Sequence, residues 1–109
     1  MVRDGIDAVF TTGGTGLSPR DTTPEATLEV VERLVPGIAE AIRRETASAT
    51  PRAMLSRGIC GICERTLIVN LPGNPKAIGE NLDVLLPVLP HALELLRDAP
   101  DAEAGHNAV

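Results

Sequence analysis

The chain has 109 residues, a formal net charge of −5, 43% hydrophobic and 23% charged residues, and one aromatic side chain, Phe10. That length suits one domain of the usual ~100–150 residues, burying about two-thirds of its unfolded surface in one modest core. The acidic balance and the absence of Tyr and Trp argue against a nucleic-acid or anionic-membrane surface, which needs basic patches or stacking aromatics.

Residues 7–12, "DAVFTT", read as a short buried strand ended by glycines. The loop 13–22, "GGTGLSPRDT", follows. Thr23 then suits an N-cap, Pro24 the first helical position, and Glu25 the positive end of the helix dipole. Pro36-Gly37 interrupts the apolar periodicity, which predicts two helices, about 24–34 and 37–45. Residues 46–53 read as a loop. Two strands, about 57–63 and 66–71, are joined at Glu64-Arg65. Leu67, Ile68 and Val69 form the unbroken apolar run of a strand buried on both faces. Asn74-Pro75 opens a last helix with Ile78, Leu82 and Leu85 as its buried stripe. Pro87 and Pro90 restart it, and Leu93 and Leu96 close it. Residues 98–109 are polar and Ala-rich, as in a disordered tail. Strands alternating with helices imply an α/β sheet covered on both faces, with ligands expected at the carboxyl ends of its strands. Both glycine turns, 13–16 and 72–74, fall there. No apolar run approaches the ~20 residues of a membrane span, and "MVRDGID" has no signal-peptide core. The cytoplasm is the expected compartment.

The run "TTGGTG" fits neither nucleotide-loop template. A Walker loop needs a Gly-Lys pair that the chain lacks, and G-x-G-x-x-G begun at Gly14 ends on Pro19. Its glycines leave backbone N–H groups uncovered, either as a nest for phosphate oxygens or as a ligand-free turn. Arg20 suits a phosphate. Asp21 suits a divalent cation or an Asx turn. "LPGNPK" offers a helix N-terminus and the cation Lys76, or simple capping. Ser56 and Arg57 read as a solvated strand end. Cys60 and Cys63, three apart in a strand, face opposite sides and read as packing residues rather than metal ligands. His91 reads as structural.

Taken together, "TTGGTGLSPRDTTPEAT", "AMLSR" and "TLIVNLPGNPKA" are very similar, in order and spacing, to the MoaB/Mog family. Its members are molybdopterin adenylyltransferases and the corresponding domains of gephyrin. The resemblance runs from about Asp7 to Arg97, so residues 1–97 are expected to form a partial molybdopterin-binding domain. It implies a three-layer α/β fold with a mostly parallel sheet and a hairpin, commonly trimeric. It also implies that the terminal phosphate of molybdopterin attacks the α-phosphate of Mg-ATP, releasing pyrophosphate. Thr12, Gly13, Gly14, Thr15 and Gly16 would then line the substrate pocket. Asp21 would be a catalytic carboxylate acting with magnesium. Ser56, Pro72, Gly73, Asn74, Pro75 and Lys76 would contact the pterin or phosphate end. Family members carry a further β–α–β portion, with another acidic residue, ahead of the "TTGG" strand. Its absence here makes a non-catalytic binding or oligomerisation module the alternative reading.

Overall fold

The computed structural model describes residues 5–97, so the tail expected over 98–109 lies outside the described residues. In chain order the elements are β1 (Ala8–Thr12), α1 (Thr23–Leu28), β2 (Arg33–Leu34) and α2 (Pro36–Ala47). A 3₁₀ turn (Pro51–Leu55), β3 (Cys60–Cys63), β4 (Thr66–Leu71), α3 (Pro75–Leu85) and α4 (Leu89–Leu96) follow. The strands form one sheet in the order β1-β4-β3-β2. Every residue of β4 is buried, as its apolar run requires. Leu67, Val69 and Leu71 point to one face, where they form the core with Cys60 and Leu85. Ile38 of α2, Ile78 and Leu82 of α3, and Leu89, Leu93 and Leu96 of α4 pack against that cluster. Asn70 points to the other face, where its Nδ2 donates to Thr27 Oγ1 of α1 at 3.0 Å. Helices therefore cover both faces of β4.

Four expectations need correction. The sheet is mixed, not mostly parallel. β1 and β4 run parallel, with Ala8–Thr12 opposite Leu67–Leu71, but β4–β3 and β3–β2 are antiparallel. The two-residue turn at Glu64-Arg65, with Glu64 at φ 55°, permits only an antiparallel return. Second, the first helix ends at Leu28 rather than near residue 34. The β-branched Val30 and Val31 favour extended backbone. The chain then joins the sheet edge, where Glu32 N donates to Ile62 O and Val35 N to Cys60 O, both at 2.8 Å. That helix begins at Thr23 itself, and no side chain caps it.

Third, β3 begins at Cys60, not near residue 57. The preceding residues are drawn elsewhere: Arg57 N donates to Thr15 O at 2.8 Å, and Ile59 N to the Asn70 side chain at 3.1 Å. Fourth, β1 is only half-buried. Among the described residues it pairs with β4 alone, and Phe10 is 41% exposed.

The last helix pair matches the sequence closely. Asn74 Oδ1 accepts from Lys76 N at 2.9 Å and Ala77 N at 3.3 Å, and Pro75 starts α3. Such a cap contributes about 1 kcal/mol. Cys60 is buried within the core and Cys63 half-buried; both are free thiols. Burial pushes the Cys60 thiol up to about 12, so it stays protonated and packs as a small hydrophobe. Among the described residues, no group of three or more His, Cys, Asp or Glu could hold a metal ion. Among them too, no helix is long and apolar enough to cross a membrane.

Candidate functional site

The carboxyl ends of β1 and β4 lie side by side, so the two glycine turns meet. Gly13 N donates to Leu71 O at 2.9 Å. A Cβ on Gly73 would stand 3.3 Å from Gly13 Cα, closer than neighbouring backbones usually tolerate. Gly13 and Gly14 hold φ of 86° and 71°, a region in which residues with a Cβ are strained. At Gly14 a Cβ would also overlap Thr23 Oγ1. Thr23 N donates to Gly14 O at 3.1 Å, tying the loop to the start of α1.

This folding leaves the amides of Gly14, Thr15, Gly16 and Leu17 without a hydrogen-bond partner among the described residues. Successive unpaired N–H groups at a strand end are the donors from which anion-binding nests are built. Beside them opens a cleft of about 590 Å³, the volume of a small-molecule site. Thr15, Gly16, Leu17, Ser56, Pro72, Asn74 and Lys76 line it, together with the apolar Ile42, Leu55, Ile59, Cys60 and Val69. Arg43 and Arg52 add two cations, and Glu80 one carboxylate. Lys76 is exposed and makes no ion pair or side-chain hydrogen bond among the described residues. Ser56 Oγ accepts from Gly58 N at 3.2 Å, leaving its own proton to donate.

Of the residues expected at the site, Thr15, Gly16, Ser56, Pro72, Asn74 and Lys76 therefore come together around one cleft. Gly13, Gly14 and Gly73 form the turns beneath it, while Thr12 and Pro75 flank those turns at the end of β1 and the start of α3. Asp21 stands beside the cleft rather than in its wall. Its Oδ2 accepts from Ser18 N at 3.1 Å, and a Cβ on Gly16 would come within 2.8 Å of that oxygen. One carboxylate oxygen thus braces the loop from behind Gly16.

Two residues of the site went unrecognised in the sequence. Asn70, 5% exposed, donates through Nδ2 to Thr11 Oγ1 and Thr27 Oγ1, each at 3.0 Å, and accepts from Ile59 N. It locks β1, α1 and the approach to β3 onto the central strand. A polar residue closing the run "TLIVNL" was its signal. Arg57 spans the loop: Nε donates to Gly16 O at 2.8 Å, Nη2 to Asp21 O at 2.6 Å, and Nη1 to Glu25 Oε2 at 2.6 Å. The hydrogen bond from Arg57 holds the Glu25 carboxyl below the usual carboxylate range. No local sequence signal separates such an arginine from a solvated one.

Unpaired loop amides beside a largely apolar cleft, at the strand ends of an α/β sheet, occupy the place where such folds bind small molecules. Comparison with known proteins then gives the family. The family model described as "Probable molybdopterin binding domain" matches residues 1–91. The chain belongs to that family. It is 46% identical over 90 residues to the molybdopterin adenylyltransferase of Helicobacter pylori strain J99, covering 83% of this chain and 51% of that protein. It is 51% identical over 92 residues to gephyrin of Dictyostelium discoideum, covering 84% of this chain and 13% of that protein. Among solved structures, it is similar to the molybdopterin biosynthesis Mog protein of Mycobacterium ulcerans. The identity is 47% and the TM-score 0.85, over 89% of this chain and 63% of that one. The molybdopterin biosynthesis enzyme MoaB of Thermus thermophilus superposes with a TM-score of 0.83 at 56% identity, over 91% and 62% of the two chains. The chain thus spans less than two-thirds of the length of these relatives.

Proposed function

We propose that this chain binds molybdopterin, its phosphate on the amides of Gly14 to Leu17 and Lys76, with Ser56, Pro72 and Asn74 contacting the rest of the ligand. In the complete, three-layer family domain, we further propose, the bound phosphate is adenylylated by Mg-ATP. One phosphate oxygen attacks the α-phosphorus of ATP, the bond to the β-phosphate oxygen breaks, and pyrophosphate leaves with that electron pair. The observation that carries this reading is the row of four unpartnered amides opening on a cleft that also holds Lys76.

The chain's own contribution is positioning and charge neutralisation, the main requirements of phosphoryl-group chemistry. The amides and Lys76 hold the attacking phosphate, and the Ser56 hydroxyl donates to the ligand. Magnesium arriving with ATP would neutralise charge on the nucleotide phosphates. Asp21 offers it one carboxylate, which fits a cation that needs only one or two protein carboxylates beside phosphate oxygens and water. Binding is assigned to this chain, and transfer to the complete domain. A trimer and a cytoplasmic location belong to the same proposal.

In a complete domain carrying this segment, Asp21→Asn is expected to lower pyrophosphate release by roughly a hundredfold. Stability should stay within about 0.5 kcal/mol, because the side chain lies in a surface loop. Molybdopterin affinity should change little. Turnover equal to wild type would remove Asp21 from the chemistry.

A further inference from the structure

We propose that Arg57 is the positioning residue that presents the loop's phosphate-binding amides, a role that rests on the phosphate reading of the cleft. Its backbone N donates to Thr15 O and its Nε to Gly16 O, each at 2.8 Å. In a planar trans peptide the carbonyl and the following N–H point in opposite directions. With the carbonyls of Thr15 and Gly16 turned toward Arg57, the N–H groups of Gly16 and Leu17 turn away from it. Both residues line the cleft, and both amides lack a partner among the described residues. One residue thus sets the direction of two successive donors.

The rest of the guanidinium fixes the far end of the loop. Nη2 donates to Asp21 O at 2.6 Å, and Nη1 pairs with Glu25 on α1. Three nitrogens reach three separate acceptors, and the Glu25 carboxylate balances the charge. Arg57 therefore acts through the backbone it orients, not as a cation held out to substrate. Its planar fork is essential to this geometry: a lysine ammonium is a single donor point that cannot serve three acceptors spread across a loop. The adjacent residue, Ser56, lines the same cleft, so the segment that sets the amides also contributes a hydroxyl to the ligand.

The test compares wild type, Arg57→Gln and Arg57→Lys in three measurements. Residue-resolved hydrogen exchange follows the loop amides of Asp21 and Thr23 against those of β4. Thermal melting follows global stability. Calorimetric titration follows binding of molybdopterin and, separately, inorganic pyrophosphate. In Arg57→Gln, exchange at Asp21 and Thr23 is expected to rise about tenfold while β4 exchange stays unchanged, and ligand affinity to fall about tenfold. Arg57→Lys should fall between the two in both readouts. Unchanged loop exchange would overturn the proposal, and so would a loosened loop with wild-type affinity, which is what a purely structural clamp would show. Wild-type binding of pyrophosphate but not molybdopterin would overturn the molybdopterin reading, and the pyrophosphate arm would then decide Arg57. Binding of neither ligand would overturn both.

Discussion

Asn70→Leu is expected to lower stability by about 2–4 kcal/mol, despite placing an apolar side chain in a strand where every residue is buried. Leucine shares asparagine's branching but is bulkier and offers no hydrogen bond. The change strands Ile59 N–H and removes the donor to the hydroxyls of Thr11 and Thr27. Each buried group left unpaired costs about 1–3 kcal/mol, and the apolar gain of leucine offsets part of the sum. Against a total stability of roughly 5–15 kcal/mol the loss is large, corresponding to a fall in Tm of roughly 10–20 °C. Urea titration of the two proteins checks it. A difference under about 0.5 kcal/mol, the ordinary range for surface changes, would show that the network does not hold the sheet to α1.

Gly14→Val should damage both binding and stability. At φ 71° a β-branched residue is strained by about 1–2 kcal/mol, and its Cβ would overlap Thr23 Oγ1. Thr23 can change rotamer to clear Oγ1, but its Cβ, at 3.1 Å, still crowds the added group, so the loop must shift from the start of α1, weakening the Thr23 N to Gly14 O bond. Such a movement scatters the neighbouring amides. Molybdopterin affinity should drop at least about tenfold, the loss of one or two charge-assisted hydrogen bonds, and stability by about 2–3 kcal/mol. Gly79→Ala is the control. It lies within α3, where an added Cβ meets nothing within 4 Å, so it should stabilise the helix by about 0.5–1 kcal/mol and leave binding untouched. Wild-type affinity in Gly14→Val, measured by calorimetry, would detach the glycine loop from the site.

The parts of the fold set by local chemistry were legible in the chain. Asn74-Pro75 announced α3 because a side-chain acceptor and a fixed φ act within one turn. "LIV" announced the buried strand because nothing solvated interrupts it. The glycine turns showed in the sequence as well, and the structure brings six of the expected residues around one cleft. Long-range pairings were not legible. Arg33-Leu34 lies in a stretch with helical periodicity, and only the free edge of β3 makes it a strand. Arg57 looked solvent-bound because its partners Gly16, Asp21 and Glu25 are more than thirty residues away. Asn70 drew no notice because its bridging role depends on Thr11 and Thr27, 59 and 43 residues away in the chain. The shallow burial of β1 likewise follows from its edge position, which no composition of "AVFTT" encodes.

The amide nest of Gly14 to Leu17 and the adjoining cleft together make the proposed molybdopterin site. Calorimetric titration of the purified chain with molybdopterin, run beside Gly14→Val, is the decisive measurement. Saturable binding at one site per chain is expected for the wild type, weakened at least about tenfold in the variant. A wild-type chain that melts cooperatively yet takes up no molybdopterin, or binds it as well after Gly14→Val, would contradict the assignment.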